Sequence, residues 1–180
     1  HVIIRGIERQ DIFRNQADQE DFVDRLSKLV PETRTSCYAW VLMTNHAHFL
    51  FRSGPCGLAE LMRRLLTGYA VSFNHRHKRH GQLFQNRYKS IICQEDAYLK
   101  ELVRYIHLNP LRANMVKEFG ALNRYAFSGH RLLAGKADCG WQDGGYVLGY
   151  FGESEAIASK RYLAYMEAGI ALGRRPELVG

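Results

Sequence analysis

His46 and His48 stand on either side of Ala47, and further along the chain Tyr105 and Asn109 stand four residues apart. In a strand, side chains alternate between faces, so the two histidines share a face at roughly 7 Å between Cα atoms. Imidazoles at that spacing can converge on one ion. On a helix, a four-residue spacing puts the Tyr105 phenol and the Asn109 amide on one face. A hard divalent cation held by two imidazoles and an amide oxygen keeps coordination positions open for phosphate oxygens. It offsets the charge that develops on those oxygens while a neighbouring tyrosine attacks the phosphorus. Free tyrosine has a pKa of about 10, so as a nucleophile it needs such help or a base.

Each of these signals has a plainer reading on its own. A His-x-His in a strand is more often a half-buried pair than a metal site. Tyr105 is one of ten tyrosines, and aromatics on helix faces usually pack. Asn109, next to Pro110, reads most simply as a residue at a helix C-terminus. Their combination carries more than any one of them.

The elements that must position these groups are legible from periodicity. Residues 37–43 and 46–52 are two apolar runs joined by the polar pair Thr44-Asn45, a hairpin signal weaker than Asn-Gly. In the second run His46, His48, Leu50 and Arg52 take one face and Ala47, Phe49 and Phe51 the other. Residues 1–5 form a short strand, and because the chain opens on His1 with no methionine, residues are expected to precede it. Phe22, Val23, Leu26, Leu29 and Val30 repeat at helical spacing over 16–30, with acids in the first turn and Pro31 as the stop. A long amphipathic helix is expected over 58–78, on Leu58, Leu61, Met62, Leu65, Tyr69 and Phe73. Residues 88–94 read as a strand. Glu95-Asp96 open a helix that buries Leu99, Leu102, Val103 and Ile106 and ends or kinks at Pro110. Strand, helix, strand, strand, helix, strand, helix is the split βαβ, ferredoxin-like order of an α+β fold with an antiparallel sheet and flanking helices. Residues 117–180 show no strand and close on a helix over 154–168, so two units are expected: 1–116, and a C-terminal helical extension over 117–180 packed on it.

Composition narrows the partner. The chain has 180 residues, 46% apolar content, a formal charge of +7 and a pI near 9.4, enough for one sizeable core and suggestive of a polyanion. The charge is concentrated: between Leu58 and Ser90, Arg63, Arg64, Arg76, Lys78, Arg79, Arg87 and Lys89 face one acid, Glu60. Beside so little acid, these seven are expected to track a nucleic-acid backbone with salt-sensitive binding. The run 75–80 also invites a second metal site, but a solvated helix end touching phosphates is the stronger reading. Tyr69, Phe73 and Tyr88 are expected in the core rather than as stacking platforms. Four scattered cysteines without a C-x-x-C pair fit a reducing cytosol, and no apolar run is long enough to span a bilayer.

With these residues in view, the chain resembles a known family. Asn45-His46-Ala47-His48-Phe49, a hydrophobic residue between two histidines, is similar to the HUH motif of single-tyrosine transposases. The stretch 104–113, RYIHLNPLRA, resembles the tyrosine helix of their REP-associated branch, and 81–90 and 125–130 resemble further segments of it. The likeness runs in order from His1 to about Gly152. It implies a ferredoxin-like nuclease domain that binds hairpin-forming single-stranded DNA and cleaves it through a 5′-phosphotyrosine bond, leaving a 3′-hydroxyl that can later rejoin DNA. It implies Tyr105 as nucleophile, His46 and His48 as metal ligands, Asn109 as the third ligand, and Mg²⁺ or Mn²⁺ as the metal. A bacterial cytoplasmic, nucleoid-associated protein is expected, monomeric or weakly homodimeric, with no membrane partner. Three departures stand out: the shortened first strand, His107 where many relatives carry an acid, and Gly129 in place of a serine. Two other functions remain open, a domesticated regulator that binds without cutting and a replication initiator of the same superfamily, though the latter would ordinarily bring further domains.

Overall fold

The computed structural model describes residues 1–93 and 96–173. Its elements run β1 (Val2–Arg5), α1 (Gln16–Glu32), β2 (Ser36–Leu42), β3 (His46–Arg52), α2 (Leu58–Arg76), β4 (Lys89–Ser90) and α3 (Asp96–Arg112). Four short or medium helices follow: α4 (Phe119–Leu122), α5 (His130–Leu133), α6 (Gly144–Leu148) and α7 (Glu155–Ala168). The sheet order is β2-β3-β1-β4 and every pairing is antiparallel. This is the arrangement expected from the alternation of elements, with the first strand inserted between the hairpin and the last strand.

The sheet separates two cores. Val2, Ile4, Trp40, Leu42, Ala47 and Phe49 point to one side and pack on α1 and α2. There Phe22 meets Phe49 at 5.9 Å and the edge of Tyr69 at 4.9 Å between ring centroids. Tyr69 and Phe73 are fully buried, so both are core residues, while Tyr88 is half-buried against the same core. Tyr38, Ala39, Val41, Met43 and Leu50 point to the other side, onto Leu102, Val103 and Ile106 of α3 and onto the C-terminal helices. A bulge between Cys37 and Ala39 lets Tyr38 and Ala39 fall on the same side.

Two prolines lie inside the last turn of their helices rather than at the boundary. α1 runs one residue beyond Pro31, to Glu32, because an N–H missing in the last turn costs little where the helix is ending anyway. Pro110 lies inside α3, which continues to Arg112. Pro110 has no N–H for the Ile106 carbonyl, and the Asn109 side-chain amide approaches that carbonyl at 3.4 Å. The expected strand over 88–94 is only the pair Lys89–Ser90; Gln94, like the helix-opening Glu95, lies outside the described residues. Cys37 is buried in β2, whereas Cys93 is half-buried and lies beyond β4. Among the described residues no helix is long and apolar enough to cross a membrane.

An edge strand presents unpaired backbone groups that invite another chain. β2 is such an edge, and the segment after α3 covers it: Leu42 N–H donates to the Phe127 carbonyl, Gly129 N–H to that of Trp40, and Asp143 N–H to that of Cys37. The Gln142 side chain accepts from the Trp40 indole at 3.0 Å and donates to the Tyr38 and Gly129 carbonyls. A Cβ on Gly129 would come within 2.8 Å of the Trp40 ring. That close approach accounts for a glycine where the resemblance leads one to expect a serine.

Candidate active site

Alternation along β3 sends His46 and His48 to the α3 side of the sheet, and register extends that row. His48 lies opposite Ile3 and His46 opposite Arg5 on β1, and Ile3 in turn lies opposite Lys89 on β4. A cleft of about 310 Å³ opens above this row, lined by Arg5, His46, His48, Gln85, Asn86 and Lys89, with Ile3, Tyr88 and Tyr105 completing it. Tyr105 reaches it from α3, whose apolar stripe packs on β2 and β3 and turns the phenol toward the histidines. The Tyr105 and His48 rings meet edge to face at 5.8 Å between centroids, and His46 and His48 stand 5.1 Å apart. Two groups far apart in sequence therefore share one cleft.

Both imidazoles are held neutral. Burial, with the Arg5 charge adding to it, pushes His46 down to about 4. Burial, then His46, then Arg5 push His48 down to about 3. The Nδ1 of His46 lies 2.7 Å from the Asn45 side-chain oxygen. That oxygen only accepts, so Nδ1–H donates and Nε2 keeps its lone pair. His48 Nδ1 lies 3.0 Å from Nε2 of His1, a third imidazole stacked on it. Donation from His48 across that contact leaves its own Nε2 bare as well. Neutral rings, each with one nitrogen fixed by a neighbour and the other available, are what a divalent cation requires of histidine ligands. Among the described residues no three His, Cys, Asp or Glu side chains form a metal-holding group, so a cation here would draw its remaining ligands from other oxygens.

Asn109 is not brought into the cleft wall. It is half-buried one turn beyond Tyr105, and its amide nitrogen donates to the Tyr105 carbonyl at 3.0 Å. His107, at the position where an acid was expected, is fully buried on the opposite side of α3, with Nδ1 2.8 Å from the Tyr162 hydroxyl.

The seven basic residues divide. Lys89 lines the cleft, and Arg87 and Arg63 line a second groove that continues from it. Lys78, in the turn after α2, is exposed. Arg64 pairs with Glu32 of α1, and Arg63 with Glu60, exposed contacts worth little energetically. Arg76 is a clamp between helices, bound to Asp18 and Asp21 of α1. Arg79 fastens the turn after α2, donating to the Asn74 side chain and to the Gln82 carbonyl. The expectation of a uniform phosphate-tracking block overlooked Asp18, a fully buried acid that takes Arg76, His77 and the Arg14 N–H. Arg5, His1, Gln85 and Asn86 were also missed. The alternation Ile3-x-Arg5 pointed to Arg5, but only the β3-β1 register shows that it stands beside His46.

Comparison with known proteins bears on the fold and the family. A solved structure described as a REP-associated tyrosine transposase bound to a REP hairpin shares the fold at a TM-score of 0.58 and 17% identity, over 79% of this chain and 88% of that one. No curated protein matches the chain in sequence. The family model described as "Transposase IS200 like" matches residues 1–109, a span that holds the whole sheet, both histidines and Tyr105; with its sheet order and the shared cleft, the chain belongs to the IS200-like transposase family.

Proposed function

We propose that the chain cleaves and rejoins single-stranded, hairpin-associated DNA through a covalent bond to Tyr105. The observation that carries this is the meeting of the Tyr105 ring with His48 in a cleft whose histidines are neutral and whose rim is cationic, through Arg5 and Lys89. In this reading 1–116 is the nuclease unit and 117–180 an extension seated on it. Its hold on the β2 edge supports a monomer or weak homodimer.

His46 and His48 would hold a Mg²⁺ or Mn²⁺ ion through Nε2, and Asn109, which lies outside the cleft wall, would have to turn toward them to give its Oδ1 as the third protein ligand. That oxygen is left over by an amide whose nitrogen serves the helix carbonyls. When bound, the ion supplies Lewis-acid polarisation of the phosphate and neutralises its charge. Arg5 and Lys89 draw the phosphate into the cleft. Tyr105, held by α3, brings its phenol oxygen to the phosphorus. The O–P bond forms as the phosphorus–O3′ bond breaks, the phenolic proton passes to water in the open cleft, and the departing O3′ takes a proton. The products are a 5′-phosphotyrosine and a free 3′-hydroxyl. Because one ester replaces another, a later 3′-hydroxyl can reverse the step without ATP.

The test is a labelled hairpin oligonucleotide incubated with the protein and Mn²⁺, then resolved on a denaturing gel. A slow-migrating covalent species that is missing in Tyr105→Phe supports the reading. In His46→Ala, cleavage is lost and hairpin binding is kept. Tight binding by the wild type with no adduct at any Mn²⁺ concentration favours the non-cutting regulator instead.

A further inference from the structure

The two cleft histidines are held by unlike groups. Nδ1 of His48 faces the imidazole of His1, which donates or accepts according to its own tautomer. Nδ1 of His46 faces the Asn45 side chain at 2.7 Å, and the other end of that side chain lies 3.1 Å from the Arg9 carbonyl. A backbone carbonyl only accepts, so the end turned toward Arg9 is the Nδ2 amide and the end turned toward His46 is Oδ1. Turning the amide over would set Oδ1 against the Arg9 oxygen, two acceptors with no proton between them. Backbone bonds hold the hairpin tip in this position. The Asn45 carbonyl accepts from Gly6 N–H, and the Thr44 carbonyl accepts from the N–H groups of Ile12 and Phe13, two residues buried in the α1–α2 core.

The Arg9 carbonyl is aimed at Asn45 by a left-handed stretch of backbone. Glu8 and Arg9 have φ of +51° and +60°, a region that is costly for residues with side chains and persists only where the surroundings impose it. Here Arg9 N–H donates to the Gly6 carbonyl and Gln10 N–H to that of Ile7. The turn closes so tightly that a Cβ on Gly6 would run into the Gln10 oxygen. The Glu8 and Arg9 side chains are exposed, so their packing does not account for the conformation, whereas the direction of the carbonyl does. We propose that Arg9 and Asn45 act in series as a tautomer lock on His46. The Arg9 carbonyl fixes which way the Asn45 amide points, Asn45 Oδ1 keeps the His46 proton on Nδ1, and Nε2 faces the cleft with its lone pair free. In a neutral imidazole the proton can sit on either nitrogen, and one on Nε2 must leave before a metal can bind there. Asn45 is thus a positioning residue that acts through His46. The inference rests on the reading of His46 as a metal ligand.

The deciding readout needs neither metal nor DNA. Long-range proton–nitrogen correlation spectra of the metal-free protein at neutral pH, with His46 assigned by the signals lost in His46→Ala, show which ring nitrogen carries the proton. Wild type is expected to show the Nδ1–H form. Asn45→Leu is expected to shift His46 to the Nε2–H form, and Asn45→Asp, whose oxygens accept in either orientation, to keep Nδ1–H. Mn²⁺ affinity, read by electron paramagnetic resonance from the free-ion signal, is expected to fall about tenfold to a hundredfold in Asn45→Leu and to stay near wild type in Asn45→Asp. The Asp variant lacks the donor to Arg9, so retention there reports the acceptor on His46 and not repair of the turn. A wild-type His46 protonated on Nε2 overturns the proposal without any variant. A folded Asn45→Leu that keeps both tautomer and affinity overturns it too, and leaves Asn45 a role in the turn alone, visible only in the melting temperature. A wild type that binds no Mn²⁺ would sink the metal reading of the cleft while the tautomer measurement still decides the lock, so the two fail separately.

Discussion

The guanidinium of Arg112 lies over the ring of Tyr105, its Cζ 5.6 Å from the centroid. The two residues are about two helical turns apart on α3, and a long helical side chain leans toward the N-terminus, which carries the charge back over the phenol. The Gly169 carbonyl, at the end of α7, receives the Arg112 Nη2 at 3.5 Å, so the extension holds the cation in place. A cation on a ring face is worth about 0.5–2 kcal/mol, and the attraction grows as charge gathers on the phenol oxygen during attack. Arg112→Met is expected to slow adduct formation about tenfold, with hairpin affinity and melting temperature near wild type and partial recovery in Arg112→Lys. Single-turnover assays beside melting curves check this; a slowing matched by a fall in melting temperature assigns Arg112 to packing alone.

Asp18 joins α1 to α2. Burial by itself would raise its carboxyl, but hydrogen bonds from His77, the Arg14 N–H and Arg76 outweigh that and hold it below the usual carboxylate range. Asp18→Ala leaves Arg76 and His77 facing a buried gap and is expected to cost about 2–4 kcal/mol. Urea unfolding measures it, and a loss below about 0.5 kcal/mol contradicts the clamp.

A buried chain of polar groups ties α3 to the extension. His130 Nε2 lies 2.7 Å from the Asn123 oxygen and its Nδ1 2.8 Å from the Tyr162 hydroxyl, which also meets His107 Nδ1 at 2.8 Å. The Asn123 oxygen accepts from Nε2–H, so neutral His130 accepts the Tyr162 proton, and Tyr162 accepts from His107. Burial pushes His130 down to about 4, and burial together with His130 pushes His107 well below its ordinary range. The unfolded chain takes up these protons near pH 6.5 while the folded chain refuses them until lower pH, so stability falls as pH drops from about 6.5 toward 4. His130 alone accounts for about 3 kcal/mol over that window. His46 and His48 act in the same direction, so the check is a difference: urea midpoints at several pH values, with a shallower acid slope in His130→Gln. An unchanged slope contradicts the assignment.

Lys89 lines the Tyr105 cleft, and Arg87 lines the groove that continues from it, beside the exposed Arg63 that pairs with Glu60. Replacing Arg87 and Lys89 with Ala is expected to reduce the slope of log affinity against log salt by about 1–2 and to weaken binding across sequences. The same substitution at Arg76 should act through stability, because its charge is spent on Asp18 and Asp21. Salt titrations by anisotropy separate the two, and equal slopes for both variants contradict the division.

Period-two alternation was enough to separate Ala47 and Phe49 from His48 and Leu50, and the Leu102–Ile106 stripe was enough to give α3 a buried side, but only the structure sets that side against the histidine face. These are local patterns backed by burial. What could not be read depended on contacts between distant segments. Arg5 and His1 reach the histidines only because β1 lies between β3 and β4, and Arg76 looks like a free cation until α1 packs on α2. At Pro110 the helix runs two residues further, to Arg112, where the Asn109 amide offers the Ile106 carbonyl a donor that the proline lacks.

The most direct measurement is the identity of the residue that carries the DNA. Wild-type protein cross-linked to a hairpin substrate with Mn²⁺, then digested and mapped by mass spectrometry, is predicted to hold the 5′-phosphate on the peptide containing Tyr105, with the released strand ending in a 3′-hydroxyl that a polymerase extends. Attachment to another residue, or cut ends with no protein bound, would contradict the account.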